Sequence, residues 1–446
     1  MVPEPASMTP ETANFVLSYM GLFLGIDASG SLHHPMERSQ FQTRYTQLKS
    51  GGLIPPQPAL GRDSWQKLRN YYLALAKKPS REPERGVAPE KIQVPYEFDD
   101  QAITLLRRFE SDTLAIGGGV KNLLRMFRIS GELKWEKKFT SPPVWIENDG
   151  DKWYVLTLGD LLGSVNPKQL SELWEIGPRG ERRLLTGLPR SSHFEFVKKG
   201  GVRKFFISSF GGLGNGKFSC FTFEGDVPRE KILSRRDSHV RSRIISGDGP
   251  LRVLSLAAGA REQLILYTET NEGFSEKILA EYPPHTGSVW IDLADVDGDG
   301  REEILVLSGD NADSGPWNEI KEDQGLRIYG LSENAAVLKK FIPIPGALSF
   351  HILPTIAGKF HIAIARFYAP NESLSDIVVL KHKKDFVFER KDFRIDSRAT
   401  VLSSVSRNGV RNLIVGAGNT PKFEIVGGSV TRRDFSGDLL TEFALH

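Results

Sequence analysis

Cysteine is nearly absent. The 446 residues contain one, Cys220. No disulfide can form within the chain, no multi-cysteine metal site is possible, and the C-x-x-C-H motif that carries c-type haem is missing. Long apolar runs are also lacking. The best candidate, Phe15 to Ile26, is broken by Ser18 and two glycines, so no segment spans a bilayer as a helix. The start has no basic region followed by an apolar one, so no secretory signal is visible. A strong charge bias is lacking as well. A net charge of +3 over this length points to no nucleic-acid partner. No G-x-S-x-G, phosphate loop or H-E-x-x-H occurs.

What is present is a repeat. A glycine turn, a few polar residues, an apolar run and then small residues recur as "NDGDKWYVLTLG", "KGGVRKFFISSFGG", "GDGPLRVLSLAAG", "DGDGREEILVLSG", "IAGKFHIAIARF" and "RNGVRNLIVGAG". The turn glycines Gly150, Gly201, Gly249, Gly300, Gly358 and Gly409 are 51, 48, 51, 58 and 51 residues apart. A fainter copy, "ESDTLAIGGG", starts at Glu110. Each unit holds about four short runs with β-branched and aromatic residues, bounded by Gly, Asp and Asn, which read as strands. Four strands per repeat of about 40–50 residues describe a propeller blade. The expected fold is mainly β: a seven-bladed β-propeller over residues 93–446. The small residues after each turn ("SLAAG", "IVGAG", "AIGGG") suggest that this run is the strand nearest the axis.

The chain before the repeats differs. Thr9-Pro10 fits a helix start, and Val16, Met20, Phe23 and Leu24 share one helical face. "ERSQFQTRYTQLKS" and "RDSWQKLRNYYLALAKK" predict two more helices. Residues 1–80 are therefore expected to form a small helical module, with 81–92 as a polar, proline-containing linker.

The chemically loaded stretch is "DLADVDGDGREEILVL", Asp292 to Leu307. An EF-hand would need a bidentate Glu at its twelfth position and helices on both sides. Counting from Asp295, that position is Val306, inside a β run. A short loop between two strands fits instead, with Asp295, Asp297, Asp299, the carbonyl of Arg301 and Glu303 as ligands. Clustered carboxylates with no His or Cys nearby favour a hard, oxygen-preferring ion, calcium over zinc. The competing reading is a plain Asp/Gly turn. The equivalent turns have lost the ligands: "ENDGDK" keeps Asp149 and Asp151, and "KKGGVRK" offers Lys198 or Lys204 in place of a cation. Nothing near the loop supplies acid/base groups, so the metal is expected to be structural rather than catalytic.

"DVDGDGREEILVLSGDN" resembles the FG-GAP/VCBS repeat, the calcium-loop blade of integrin-like propellers. The likeness is closest to a bacterial group in which a cytochrome c-like helical module precedes such a propeller. "PPQPALGRDSWQKLRNYYLALA" is similar to the last helix of that module, and "FVLSYMGLFLGI" resembles the segment that follows its haem motif. The resemblance implies a periplasmic or extracellular protein. The missing C-x-x-C-H excludes covalent haem on this chain, leaving Met20 as a packing residue rather than an axial ligand. Three functions stay open. The first is a non-catalytic calcium-stabilised propeller that binds a protein or glycan. The second is an electron-transfer protein whose haem motif lies upstream of Met1. The third is a hydrolase or lyase with a site in the central funnel. His285, His33-His34, the insertion with Asp310, Asn311 and Trp317, and the basic "KHKKD" are secondary candidates, each more simply read as loop decoration.

Overall fold

The computed structural model describes most of residues 89–444. It omits short connections, the longest being 160–169, 310–322 and 367–375, and before residue 89 it covers chiefly 54–75 and a few positions between 17 and 26. His33, His34, His285, Asp310, Asn311 and Trp317 lie outside the described residues, as does the helix expected around 37–50.

Short runs rich in β-branched and aromatic residues, some alternating with polar residues and some apolar throughout, fold most of the described chain into antiparallel strands. Six sheets are each built from four consecutive strands. Their first strands are Ile103–Phe109, Pro143–Asp149, Ser191–Lys199, His239–Ile245, Ser288–Ala294 and Ala347–Pro354. We number these sheets one to six. A further four-stranded sheet, number seven, starts at Arg398–Arg407 and continues through Val410–Gly418 and Leu440–Ala444. Its outermost strand is Lys91–Ile92, from before the first sheet. First strands of neighbouring sheets lie side by side, and sheet one meets sheet seven, so the ring closes as a β-propeller.

The expectation of seven successive units, each its own blade, needs correction. Six units, not seven, form blades of consecutive strands. The last is composite, because the chain leaves it after Gly418 through a separate hairpin, Lys422–Val426 with Ser429–Arg433. An N-terminal strand then fills the open edge, which removes an unpaired ladder and ties the two ends of the ring together.

The strand order also corrects which run lines the axis. The small, apolar run after each turn is the second strand, not the first. Thr113–Gly118 and Glu303–Ser308 are buried along their whole length, because both faces of a second strand pack on neighbouring blades. Leu305, Leu307, Phe350 and Ile362, for example, form one such inter-blade core. The strand before the glycine turn is the axial one. Gly150, Gly201 and Gly300 sit in the hairpins between these two strands with φ of +68°, +80° and +85°, a region that glycine enters without Cβ strain.

In the N-terminal segment one full helix is described, α1 (Arg62–Leu75); of the other two expected, the first is described at only a few positions and the second lies outside the described residues. Trp65 on α1 packs with Leu17 and Ile26, flanked by Met20 and Leu68. A separate helical module is not evident from these elements. No helix among the described residues is long and apolar enough to cross a membrane.

Candidate functional site: an acidic turn and a charged axis

The acidic stretch forms the turn between Ser288–Ala294 and Glu303–Ser308, the first two strands of sheet five. Strands on both sides exclude the EF-hand, as the sequence indicates. The turn is held by its own carboxylates. Asp295 accepts from the backbone N–H groups of Gly298 (2.7 Å) and Gly300 (3.0 Å). Asp297 accepts from Asp299 N (3.1 Å), and Asp299 from Arg301 N (2.8 Å). Glu303, 5% exposed, accepts from Val296 N at 2.7 Å.

Of the five residues expected as ligands, the fold brings three together. Oxygens of Asp295, Asp297 and Glu303 lie within 4.8 Å of one another. Two oxygens on one calcium, each at about 2.3–2.6 Å, can be no more than roughly 5 Å apart, so the cluster has the right span. Asp299 is not part of this group, and its carboxylate is engaged with the Arg301 amide. Burial pushes the Glu303 carboxyl above its usual range. The Val296 amide opposes the shift, and repulsion from Asp297, Asp299 and Asp295 reinforces it. A cation held among these oxygens would relieve that repulsion.

The degenerate turns use basic residues. Lys198 pairs with Asp149 of the neighbouring blade at 3.0 Å, and Lys204 pairs with Glu269. In "KHKKD", Lys383 pairs with Glu389, and the His382 ring stacks on Phe360 at 5.0 Å. Lys198 and Lys383 are about half exposed, whereas Phe360 belongs to the core between blades.

The second constellation lies on the axis and escaped the sequence reading. Every first strand carries a register irregularity near its start, including Pro143/Trp145, Ser191/His193, His239/Arg241 and Ser288/Trp290. A bulge re-aims the side chain beside it. This level of the ring holds Trp145, His193, Arg241 and Trp290. Two residues on, about 6–7 Å along each strand, the next level holds Arg107, Glu147, Glu195, Arg243 and Asp292.

The lower level is closed by ion pairs between blades. Arg107 takes Glu147 through two contacts of 2.7 and 2.8 Å. Arg243 bridges two blades, donating to Glu195 at 2.8 Å and to Asp292 at 2.9 and 3.0 Å. Burial alone would raise the Asp292 carboxyl, but the charge and hydrogen bonds of Arg243 outweigh it and hold it below its usual range. For Glu195 burial wins, and its carboxyl is raised.

At the upper level, Arg241 is held between the Trp145 and Trp290 rings, its guanidinium carbon 4.2 and 3.5 Å from their centroids. His193 faces Ser242 (3.4 Å) through Nδ1 and Glu195 (3.6 Å) through Nε2. This is the order of groups in a Ser-His-acid hydrolase. Ser242 is fully buried, however, so its hydroxyl has no path to a substrate carbonyl. Burial first, then Arg241 and Arg243, drive the His193 pKa well below its usual value and keep the ring neutral. Cys220 is buried too, its thiol pushed up to about 11.

The axis and turn belong to a β-propeller, and the sheet order itself establishes that class. No protein-family model and no curated protein matches the chain. Among solved structures, it is similar to the BBS1 N-terminal domain crystallised with ARL6, at 11% identity and TM-score 0.48, covering 81% of this chain and 97% of that one. It is also similar to virginiamycin B lyase from Staphylococcus aureus, at 12% identity and TM-score 0.48, covering 72% and 93%. A third is Sqt1 from Saccharomyces cerevisiae, at 10% identity and TM-score 0.46, covering 81% and 99%. A binding protein and an enzyme stand side by side among them, and a shared ring does not decide between such functions.

Proposed function

We propose that this chain is a non-catalytic propeller, stapled by one calcium ion in sheet five, that presents one face of the ring to a protein partner. The observation that carries the calcium half is the convergence of Asp295, Asp297 and Glu303 on a single turn. Here the ion would be held by those three carboxylates, as in an FG-GAP/VCBS-type loop, and would supply charge neutralisation rather than Lewis-acid chemistry. The non-catalytic half is supported by the axis. Glu147, Glu195 and Asp292 are each committed to an arginine, and the serine beside His193 is sealed.

The platform follows from topology. Alternating strand directions put the second-strand ends Thr157, Ser308 and Arg366 and the third-strand starts Ser171, Gly325 and Asp376 at one face of the ring, and 13, 16 and 9 residues of sequence join them. The connections at the opposite face, such as 150–151 and 178–179, are tight turns. Long connections on a rigid scaffold are where propellers bind.

The test is a melting curve with chelator and with added calcium. Calcium binding only the folded state should raise the melting temperature by mass action. Asp297→Ala should lose most of that response, and Asp149→Ala in the degenerate turn should keep it. An unchanged wild-type curve would mean that the loop is only a turn. Hydrolysis of an ester or lactone that Ser242→Ala abolishes would overturn the non-catalytic half.

A further inference from the structure

The upper level of the axis contains buried donors without acceptors. Arg241 is 4% exposed. Its side chain makes no hydrogen bond among the described residues, and none of their carboxylates lies within ion-pair distance of it. Its Nε is buried and unpartnered, as is the indole N–H of Trp290 beside it. The nearby carboxylates are spoken for, with Glu147 on Arg107 and both Glu195 and Asp292 on Arg243. An uncompensated buried cation and an unpaired buried N–H are each costly. The indoles offset part of that cost by cation–π attraction, but they leave the Nε without an acceptor. The edge of a guanidinium presents N–H donors in one plane, the geometry that matches a carboxylate.

We propose that the propeller axis is a binding site for a compact monocarboxylate, held edge-on by Arg241 between Trp145 and Trp290 and hydrogen-bonded by the Trp290 indole N–H. Several features select this class. The slight exposure of Arg241 admits only a small head group. A dianion such as phosphate is disfavoured, because Asp292 and Glu195 lie one level below. Burial raises the Glu195 carboxyl, which reduces the negative charge a monoanion would meet. His193, neutral and in ring contact with Trp145 at 4.3 Å, closes the side of the site without adding a competing charge. The site is independent of the acidic turn and stands or falls without regard to calcium.

The experiment titrates the full chain with sodium acetate, holding ionic strength constant with sodium chloride and reading tryptophan emission, since two indoles line the site. Sodium phosphate serves as the dianion control. Wild type should give a saturable change with acetate and none with phosphate. Trp290→Phe, which keeps an aromatic ring but removes the N–H, should weaken acetate about tenfold, the scale of a lost hydrogen bond to a charged group. Arg241→Met should lose the response altogether. If Arg241→Met does not fold, as judged by its circular dichroism, the tenfold shift in Trp290→Phe decides the matter. The proposal is overturned if acetate gives no saturable change in wild type, if phosphate acts like acetate, or if Trp290→Phe responds as wild type does.

Discussion

Replacing Arg243 by methionine tests whether the axis holds the ring together. The substitution keeps most of the side-chain length and removes the charge. It strands Glu195 and Asp292, whose side chains are 12% and 24% exposed. Removing one partner of a buried ion pair costs about 3–5 kcal/mol, because the remaining charge is left uncompensated. Partial exposure to channel water argues for the lower end, about 3 kcal/mol. Unfolding a ring of this length releases entropy on the order of 0.7 kcal/mol per degree, so the melting temperature should fall by about 4 °C at pH 7.

The pH dependence gives a sharper signature. In the wild type, Asp292 titrates below its usual value, so its contribution is present above the unfolded carboxylate range and is lost only as pH falls through the lowered value. Glu195 titrates above its usual value, so it favours folding at acid pH and that contribution fades as pH rises. Without Arg243 both carboxyls move up. The deficit of the variant should therefore shrink on going from pH 7 to about pH 5, as the stranded acids take up protons. Calorimetry of both proteins at the two pH values measures this. A variant melting within a degree of wild type at pH 7, or a deficit that is the same at pH 5, would show that water screens these pairs and that the blades hold without them.

Two further outcomes are expected. With its thiol pushed up to about 11 and its side chain buried, Cys220 should resist iodoacetamide at pH 8 in the native protein and react fully in urea; rapid native labelling, followed by mass spectrometry, would refute this. Gly300→Ala should cost about 1 kcal/mol through its positive φ alone, since an added Cβ there meets no atom. Gly325→Ala should cost clearly more in the same denaturant titration, because its Cβ would strike the Ile342 carbonyl; equal losses would contradict the packing described for sheet five.

Much of this fold was legible because the turn glycines carry a periodic signal. Gly150, Gly201, Gly249 and Gly300 all fall between the first and second strands of successive blades. What misled was the composition of the second strand. "SLAAG" and "AIGGG" look like residues that crowd an axis, yet they crowd the space between blades. The axis itself is charged, and charge inside a strand reads as solvent exposure when no partner is visible. The partners lie in other repeats: Glu147, Glu195 and Asp292 meet arginines 40, 48 and 49 residues away. A signal existed in "VWIEND", "HFEFVK", "VRSRII" and "VWIDLA", where Glu147, Glu195, Arg243 and Asp292 interrupt apolar strands 48, 48 and 49 residues apart. The composite seventh sheet was not legible, because the strand that completes it is only Lys91–Ile92, too short to show a pattern. At the acidic turn, spacing alone nominated five ligands, but an oxygen can bind a cation or cap the turn, and Asp299 is placed for the second task.

The two constellations solve the same problem at different radii. A propeller blade is a sheet with two apolar faces, so non-directional packing fixes the distance between blades better than their register along the axis. Ion pairs are directional. Arg243, bridging Glu195 and Asp292, fixes three successive blades at one height, and Arg107 with Glu147 does so for the first two. Further out, Lys198 with Asp149 ties the first hairpins of two neighbouring blades, and Lys204 with Glu269 ties a second strand to the third strand of the next blade. Sheet five has no lysine in its turn to play that part, and carries three converging carboxylates instead. A bound cation there would neutralise carboxylates as the lysines do, but within the one turn rather than between blades. That is why its removal is expected to weaken the ring while leaving the axis, and any anion bound on it, in place.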